Sequence, residues 1–175
     1  MQTPSEYQGG EGLKADEGGW AKVVPPPEKR SFLSRDPFVS PMDLPEELAA
    51  LQRFHGHLGI YVTLGLRMGA IGKRTFGGYK GLRASVSTVP KPPMMCVVDG
   101  IQFGSACTMG KGNIAIEPST EPAVTFEKEG RRLTIRLKSG LRERIDGEMS
   151  HETEIERSVH YFRVPEDEVF DLSEG

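Results

Sequence analysis

Residues 58–71 set the tightest limit on what this chain can fold into. Leu58, Tyr61, Val62, Leu64 and the run 66–71 put apolar groups on most sides of a helix, so the helix has to be enclosed rather than laid on a surface. Gly65, Gly69 and Gly72 stud the same stretch. A glycine inside a helix costs about 1 kcal/mol relative to alanine, and the compensation expected for several of them is the close approach of another backbone. The fold must therefore supply a second element that packs tightly on this helix.

Around it the pattern alternates between periods. Asp43 and Glu46 have the spacing of a capping box, Pro45 suits a first turn, and Leu44, Leu48, Leu51 and Phe54 recur at helical intervals, which predicts a helix running to about Arg53. Residues 82–89 alternate as a half-buried strand closed by Pro90. Val97, Val98 and Ile101 favour a short helix, while residues 113–117 and 123–128 read as strands. Residues 131–138 alternate strongly, and the Glu129-Gly130 turn joins them to the preceding strand as a hairpin. Helical character returns over 148–162, and 165–170 reads as a last short helix. Without a regular strand-helix-strand alternation, the class this predicts is α+β, with helices packed on a mixed or antiparallel sheet in a single compact core domain.

Of the 175 residues only 37% are apolar, while 21 are Gly and 13 Pro, so the packed part is shorter than the chain. Residues 1–41, rich in Gly, Pro, Glu and Lys, read as an extended N-terminal arm carrying the anchors Trp20, Phe32, Leu33 and Phe38; residues 42–175 are the expected core domain. A net charge of -3, with no basic stripe, argues against nucleic acid. The chain shows no leader pattern and no apolar run of ~18 residues, so the expected setting is the cytoplasm, with no membrane contact.

Chemistry-bearing residues fall in three places. His55-Gly56-His57 places two imidazoles at i and i+2, which a regular helix would point apart, so joint chelation needs the turning backbone that Gly56 permits. The alternative is that one histidine caps the helix and the other is solvated. Cys96 and Cys107 flank the short helix that contains Asp99. Their spacing is not Cys-x-x-Cys, but with two histidines they would make a tetrahedral zinc set, or three ligands with an open position. Two buried, inert thiols are the competing reading. Asp99 either orients a ligand or caps the helix, and capping is the expectation. His151 and His160, among charged neighbours, read as surface residues. The third place, Cys107-Thr108-Met109-Gly110-Lys111-Gly112-Asn113, lacks the full phosphate-loop pattern and runs helix to strand, which rules out that motif; its glycines suit a tight turn that aims Cys107.

Taken together, Phe54-His55-Gly56-His57-Leu58, Gly65-Leu66-Arg67-Met68-Gly69, Cys96-Val97-Val98-Asp99-Gly100-Ile101-Gln102 and the Cys107–Asn113 segment resemble, in order and spacing, the signatures of the E-subunit family of formylmethanofuran dehydrogenase (FmdE-like). The resemblance implies an α+β core, commonly a homodimer, with a metal-associated pocket on His57, Cys96, His55 and Cys107 and with Asp99, Gln102, Lys111 and Asn113 around it. It implies a link to one-carbon, methanogenesis-related metabolism and to the molybdenum or tungsten enzyme's other subunits, which carry the redox chemistry. Two departures stand out. The family pattern continues with a cysteine where this chain has Gly59, and many members carry a cysteine-rich C-terminal finger, whereas no cysteine follows Cys107 here, so the core domain alone is expected. Three readings stay open: a zinc-dependent protein or enzyme acting on a small molecule, an accessory interaction protein whose metal, if any, is structural, and a thiol redox protein, which the loss at position 59 disfavours.

Overall fold

The computed structural model describes residues 44–175; the expected arm over 1–41, with Trp20, Phe32, Leu33 and Phe38, and the capping residue Asp43 lie outside the described residues. Six helices and five strands follow in the order α1 (Glu46–His55), α2 (Ile60–Thr75), β1 (Arg83–Thr88), α3 (Val97–Ser105), β2 (Ile114–Pro118), β3 (Ala123–Lys128), β4 (Arg131–Leu137), α4 (Leu141–Glu148), α5 (Glu154–Arg163), α6 (Glu166–Val169) and β5 (Phe170–Glu174). The strands form one mixed sheet ordered β2-β1-β3-β4-β5, in which β1 and β2 are parallel and every other pairing is antiparallel. This is the α+β arrangement expected.

The sheet buries one face. Ala84, Val86, Val124, Phe126, Leu133, Ile135 and Phe170 point from it into a core completed by Leu64, Met68 and Ile71 of α2 and by Val97 and Ile101 of α3. A second cluster, Leu48, Leu51, Leu58, Val62 and Leu66, lies between α1 and α2, with Ile155, Val159 and Phe162 of α5 against its edge. Leu48, Leu51, Val62, Leu64 and Met68 are fully enclosed, which is what the apolar run demanded.

The close partner of α2 is α3. A Cβ on Gly65 would stand 2.1 Å from the Val97 carbonyl oxygen, and one on Gly100 would stand 2.0 Å from that of Val62. Gly69 and Gly104 repeat the arrangement one turn on, at 2.7 Å from Ser105 N and 2.3 Å from the Leu66 carbonyl. The touching positions advance together along both helices, so α2 and α3 run parallel with their N-termini side by side. The segments just before those N-termini, His55 to Gly59 and Cys96, are thereby brought to one end of the pair.

Two elements differ from expectation at the C-terminal side. Helix α4 holds only Leu141 and Ile145 inside, on an otherwise charged sequence, and the helix expected from 148 starts instead at Glu154 because Ser150 takes Glu152 N–H on its hydroxyl and Thr153 N–H on its carbonyl. The chain also ends in a strand: β5 buries Phe170 alone and is made by its pairing with β4. Arg67 ties this region to the buried helix, donating to the Tyr161 carbonyl and, at 2.6 Å, to that of Val164 at the end of α5.

Candidate metal centre

Helix α1 ends in Gly56 at φ 94°, a left-handed cap that turns the chain sharply between His55 and His57. The two rings come to lie 4.5 Å apart between centroids. One ring nitrogen of each histidine and the Sγ of Cys96 all fall within 4.8 Å of one another. Ligand atoms of one tetrahedral zinc stand roughly 3.3–3.6 Å apart, from Zn–N and Zn–S bonds of about 2.0–2.3 Å, so small rotations of the side chains close the set on an ion.

The histidines differ in support. The His55 side chain is only 9% exposed, and its Nδ1 donates to Asp99 Oδ2 at 2.7 Å. That bond fixes the ring and leaves Nε2 as the free nitrogen, which is buried with no hydrogen-bond partner. A buried, unpartnered nitrogen is costly unless something fills the place in front of it. Asp99 and then Cys96 raise His55 from 6.5 to about 9, against the opposing effect of burial, so an ion that binds at Nε2 displaces a proton from the ring. Asp99 is itself held by Gln102, whose Nε2 donates to Oδ1 at 3.3 Å. The helix cap expected of Asp99 is not what it does; it orients a histidine, as carboxylates behind metal-bound imidazoles do. His57, at 55% exposure, faces Glu154, with Nε2 3.9 Å from Oε1.

Of the four ligands expected, the structure brings three together. Cys107 is fully buried elsewhere, its N–H bound to Ser105 Oγ at 3.0 Å and its Sγ facing the Leu82 carbonyl at 3.5 Å, and burial pushes its thiol up from the ordinary range. The turns on either side of it explain why: Ala106 at φ 61° before it and Gly112 at φ 63° after it wrap the segment back on itself. Lys111 donates to the Ala106 carbonyl, and Asn113 accepts from Thr108 N–H and donates to the Leu82 carbonyl. Lys111 and Asn113 thus build that turn rather than a pocket, while Gln102 serves both it, by accepting from Met109 N–H, and Asp99.

Beside His55, His57 and Cys96 opens a cavity of about 590 Å³. Gly59, Ile60, Tyr61 and Val62 of the α2 start, Pro92 and Pro93 before α3, and Glu148, Met149, Ser150, His151 and Glu154 of the α4–α5 connection line it. Tyr61 donates to Asp146 Oδ1 at 2.7 Å and Tyr161 to Glu148 Oε2 at 3.1 Å, which fastens α4 over the site. His151 and His160 are both exposed, as expected; His160 lies edge-on to Tyr161, and His151 also borders the cavity. The sequence offered no signal for this wall: Glu148, His151 and Glu154 sit in a charged stretch whose spacing matches no motif.

A family model described as FmdE, molybdenum formylmethanofuran dehydrogenase operon, matches residues 54–171. A crystal structure of an FmdE-like protein of the tungsten formylmethanofuran dehydrogenase type from Syntrophus aciditrophicus is similar over 74% of this chain and 70% of that one, at 16% identity and a TM-score of 0.49. No curated protein matches the chain. Among the described residues no helix is long and apolar enough to cross a membrane.

Proposed function

The chain belongs to the FmdE family, and on that premise we propose that it is a zinc-binding protein of the formylmethanofuran dehydrogenase system, holding the ion on His55 Nε2, His57 and Cys96 and presenting it to a small molecule in the adjoining cavity. The observation that carries this reading is the buried, unpartnered Nε2 of His55, backed on the other side of the ring by Asp99. Imidazole and thiolate donors form a borderline-soft set that suits zinc, whereas magnesium or calcium would need oxygen ligands. Bound there, zinc would polarise a donor atom of the occupant. The chain's own groups do the rest: Asp99 keeps Nε2 aimed inward, Tyr61 and Ile60 wall off water, and the α4–α5 connection covers the mouth.

Work alongside other subunits is the second part of the reading. It rests on the family's operon association and on Phe54 and Phe103, which stand 54% and 37% exposed with rings 5.8 Å apart on the surface of α1 and α3. The homodimer implied by the resemblance stays part of the proposal; Gly65 and Gly69 of α2 lend it no support, since α3 of the same chain lies against them.

Elemental analysis of protein purified without added metal or a histidine tag tests the centre. Wild type should carry one zinc, His55→Ala, His57→Ala and Cys96→Ala should lose it, and Cys107→Ala should keep it. Wild type that neither carries stoichiometric zinc nor takes it up from a zinc buffer refutes the site. Light scattering tests the assembly, a mass near the 19.3 kDa of one chain at micromolar concentration being the result against a dimer.

A further inference from the structure

The three donors leave one position of a four-coordinate ion unassigned, and the cavity wall holds a carboxylate, Glu154, that stands within 4 Å of one donor, His57. It lies outside the trio whose ligand atoms fall within 4.8 Å of one another, so its flexible side chain has to swing to complete the set. Glu154 opens α5, at 32% side-chain exposure, and its two oxygens point different ways: Oε1 lies 3.9 Å from His57 Nε2 and Oε2 lies 3.9 Å from His151 Nδ1. The route of its side chain depends on Gly59. A Cβ at that position would stand 3.0 Å from Glu154 Oε1 and 3.8 Å from His57 Nε2, so the space that a side chain at 59 would take is the space the carboxylate enters. Gly59 has φ -138° and ψ 165°, extended backbone open to any residue, so the turn itself does not require glycine here. A side chain at 59 and the carboxylate in this position would crowd each other, and the carboxylate would be the one to swing away.

Resting on the zinc reading above, we propose that Glu154 supplies the fourth donor of this centre, an oxygen ligand admitted by Gly59 and flanked on its outer side by His151. Nitrogen and oxygen ligands of one tetrahedral zinc lie roughly 3.4 Å apart, a few tenths of an ångström from the spacing of Glu154 Oε1 and His57 Nε2. A further observation at the same centre is the side chain of His55, nine-tenths buried, whose Nε2 has no hydrogen-bond partner and whose ring belongs to the same trio as His57. The donors are unequal. His55 is locked by Asp99 and Cys96 sits where α3 begins, whereas Glu154 is a flexible, partly exposed side chain on the cavity wall. It is the ligand that an incoming small molecule would displace, so the resting centre is closed and the occupied one is open.

The test compares full-length wild type with Glu154→Ala, Glu154→Gln and, as a control in the same connection, the exposed Glu152→Gln. Zinc affinity is measured by chelator competition, and cobalt(II) replaces zinc as a spectroscopic probe of the donor set; circular dichroism of each metal-free protein checks that it is folded. Both Glu154 variants should still bind one zinc, about tenfold to a hundredfold more weakly, the scale on which supporting carboxylates act. Their cobalt spectra should shift, Glu152→Gln should match wild type, and added acetate should return the Glu154→Ala spectrum toward that of wild type. Affinity within twofold of wild type and an unchanged cobalt spectrum in both Glu154 variants overturns the fourth donor while leaving the three-ligand centre standing. Wild type that binds neither zinc nor cobalt overturns the zinc reading itself.

Discussion

The two cysteines of this chain have separate fates. Cys96 is half-buried at the meeting of the two apolar clusters and turned toward the histidines, whereas Cys107 is sealed beneath Leu82 and Ser105 with its thiol pushed up by burial. A thiol reacts as its thiolate and only where reagent reaches it. In metal-free protein, iodoacetamide should therefore label Cys96 first and Cys107 only after unfolding, as peptide mass mapping would show; early labelling of Cys107 contradicts its placement. His55 gives a second expectation. Its folded value near 9 exceeds the ordinary 6.5, so in metal-free protein its contribution to stability is full below 6.5 and is lost as pH rises through about 9. Asp99→Asn removes the first cause of that shift, so the gap in urea midpoint between wild type and variant, measured with chelator present, should be wide below 6.5 and narrow above about 9. A gap that is independent of pH would contradict the ion pair. At this scale the residue types that meet were readable from sequence: an imidazole pair on either side of glycine and a thiol are donors of the kind a borderline-soft metal takes. Their number was not, because whether Cys107 faces inward or aside depends on the turn through Ala106 and Gly112, and a non-glycine left-handed residue leaves no mark in the sequence.

The pairing of α2 with α3 decides where those residues meet. Gly65, Gly69, Gly100 and Gly104 let the two backbones touch, and any Cβ added there strikes main-chain atoms that cannot swing aside. Gly100→Ala and Gly65→Ala should each destabilise by about 3 kcal/mol, the upper part of the range for overpacking, and should weaken zinc binding as the starts of the two helices part. Gly110→Ala, with open space at its Cβ and no left-handed backbone, should stay within about 0.5 kcal/mol of wild type. Denaturant melts of the three variants decide it, and equal midpoints would refute the close contact. The glycines of α2 made the need for such a partner legible in the sequence, and strong alternation made β1, β3 and β4 legible nearly to the residue. Elements α4 and β5 were not, for a physical reason: each buries two side chains or fewer and is held by what it packs on or pairs with, so its own sequence carries almost no period.

Among the described residues, the donors and the elements that support them fall within one continuous stretch. The donors stand at 55, 57 and 96, the carboxylate opposite them at 154, the sheet that backs α2 and α3 runs from Arg83 to Glu174, and both core clusters are built from residues 44–170. The packing of the described residues is closed in the same sense: α1 covers Val62 and Leu66 with Leu48 and Leu51, and Arg67 carries two hydrogen bonds from the buried helix to the end of α5. A chain beginning at Pro41 should therefore keep both the fold and the proposed metal site, since the described residues already bury α2 from Ile60 to Gly69. Circular dichroism and zinc stoichiometry of that shortened protein are the measurements. A helical and strand signal equal to that of residues 44–175 in the full chain, with one zinc bound at unchanged affinity, is the expected outcome. An unfolded product would place part of the core before Pro41, and a folded product with weakened zinc would place a contributor to the centre there. Such a loss is distinguishable from that of Glu154, because Glu154→Ala should lower affinity by the same factor in the long and the short protein if the two regions act independently.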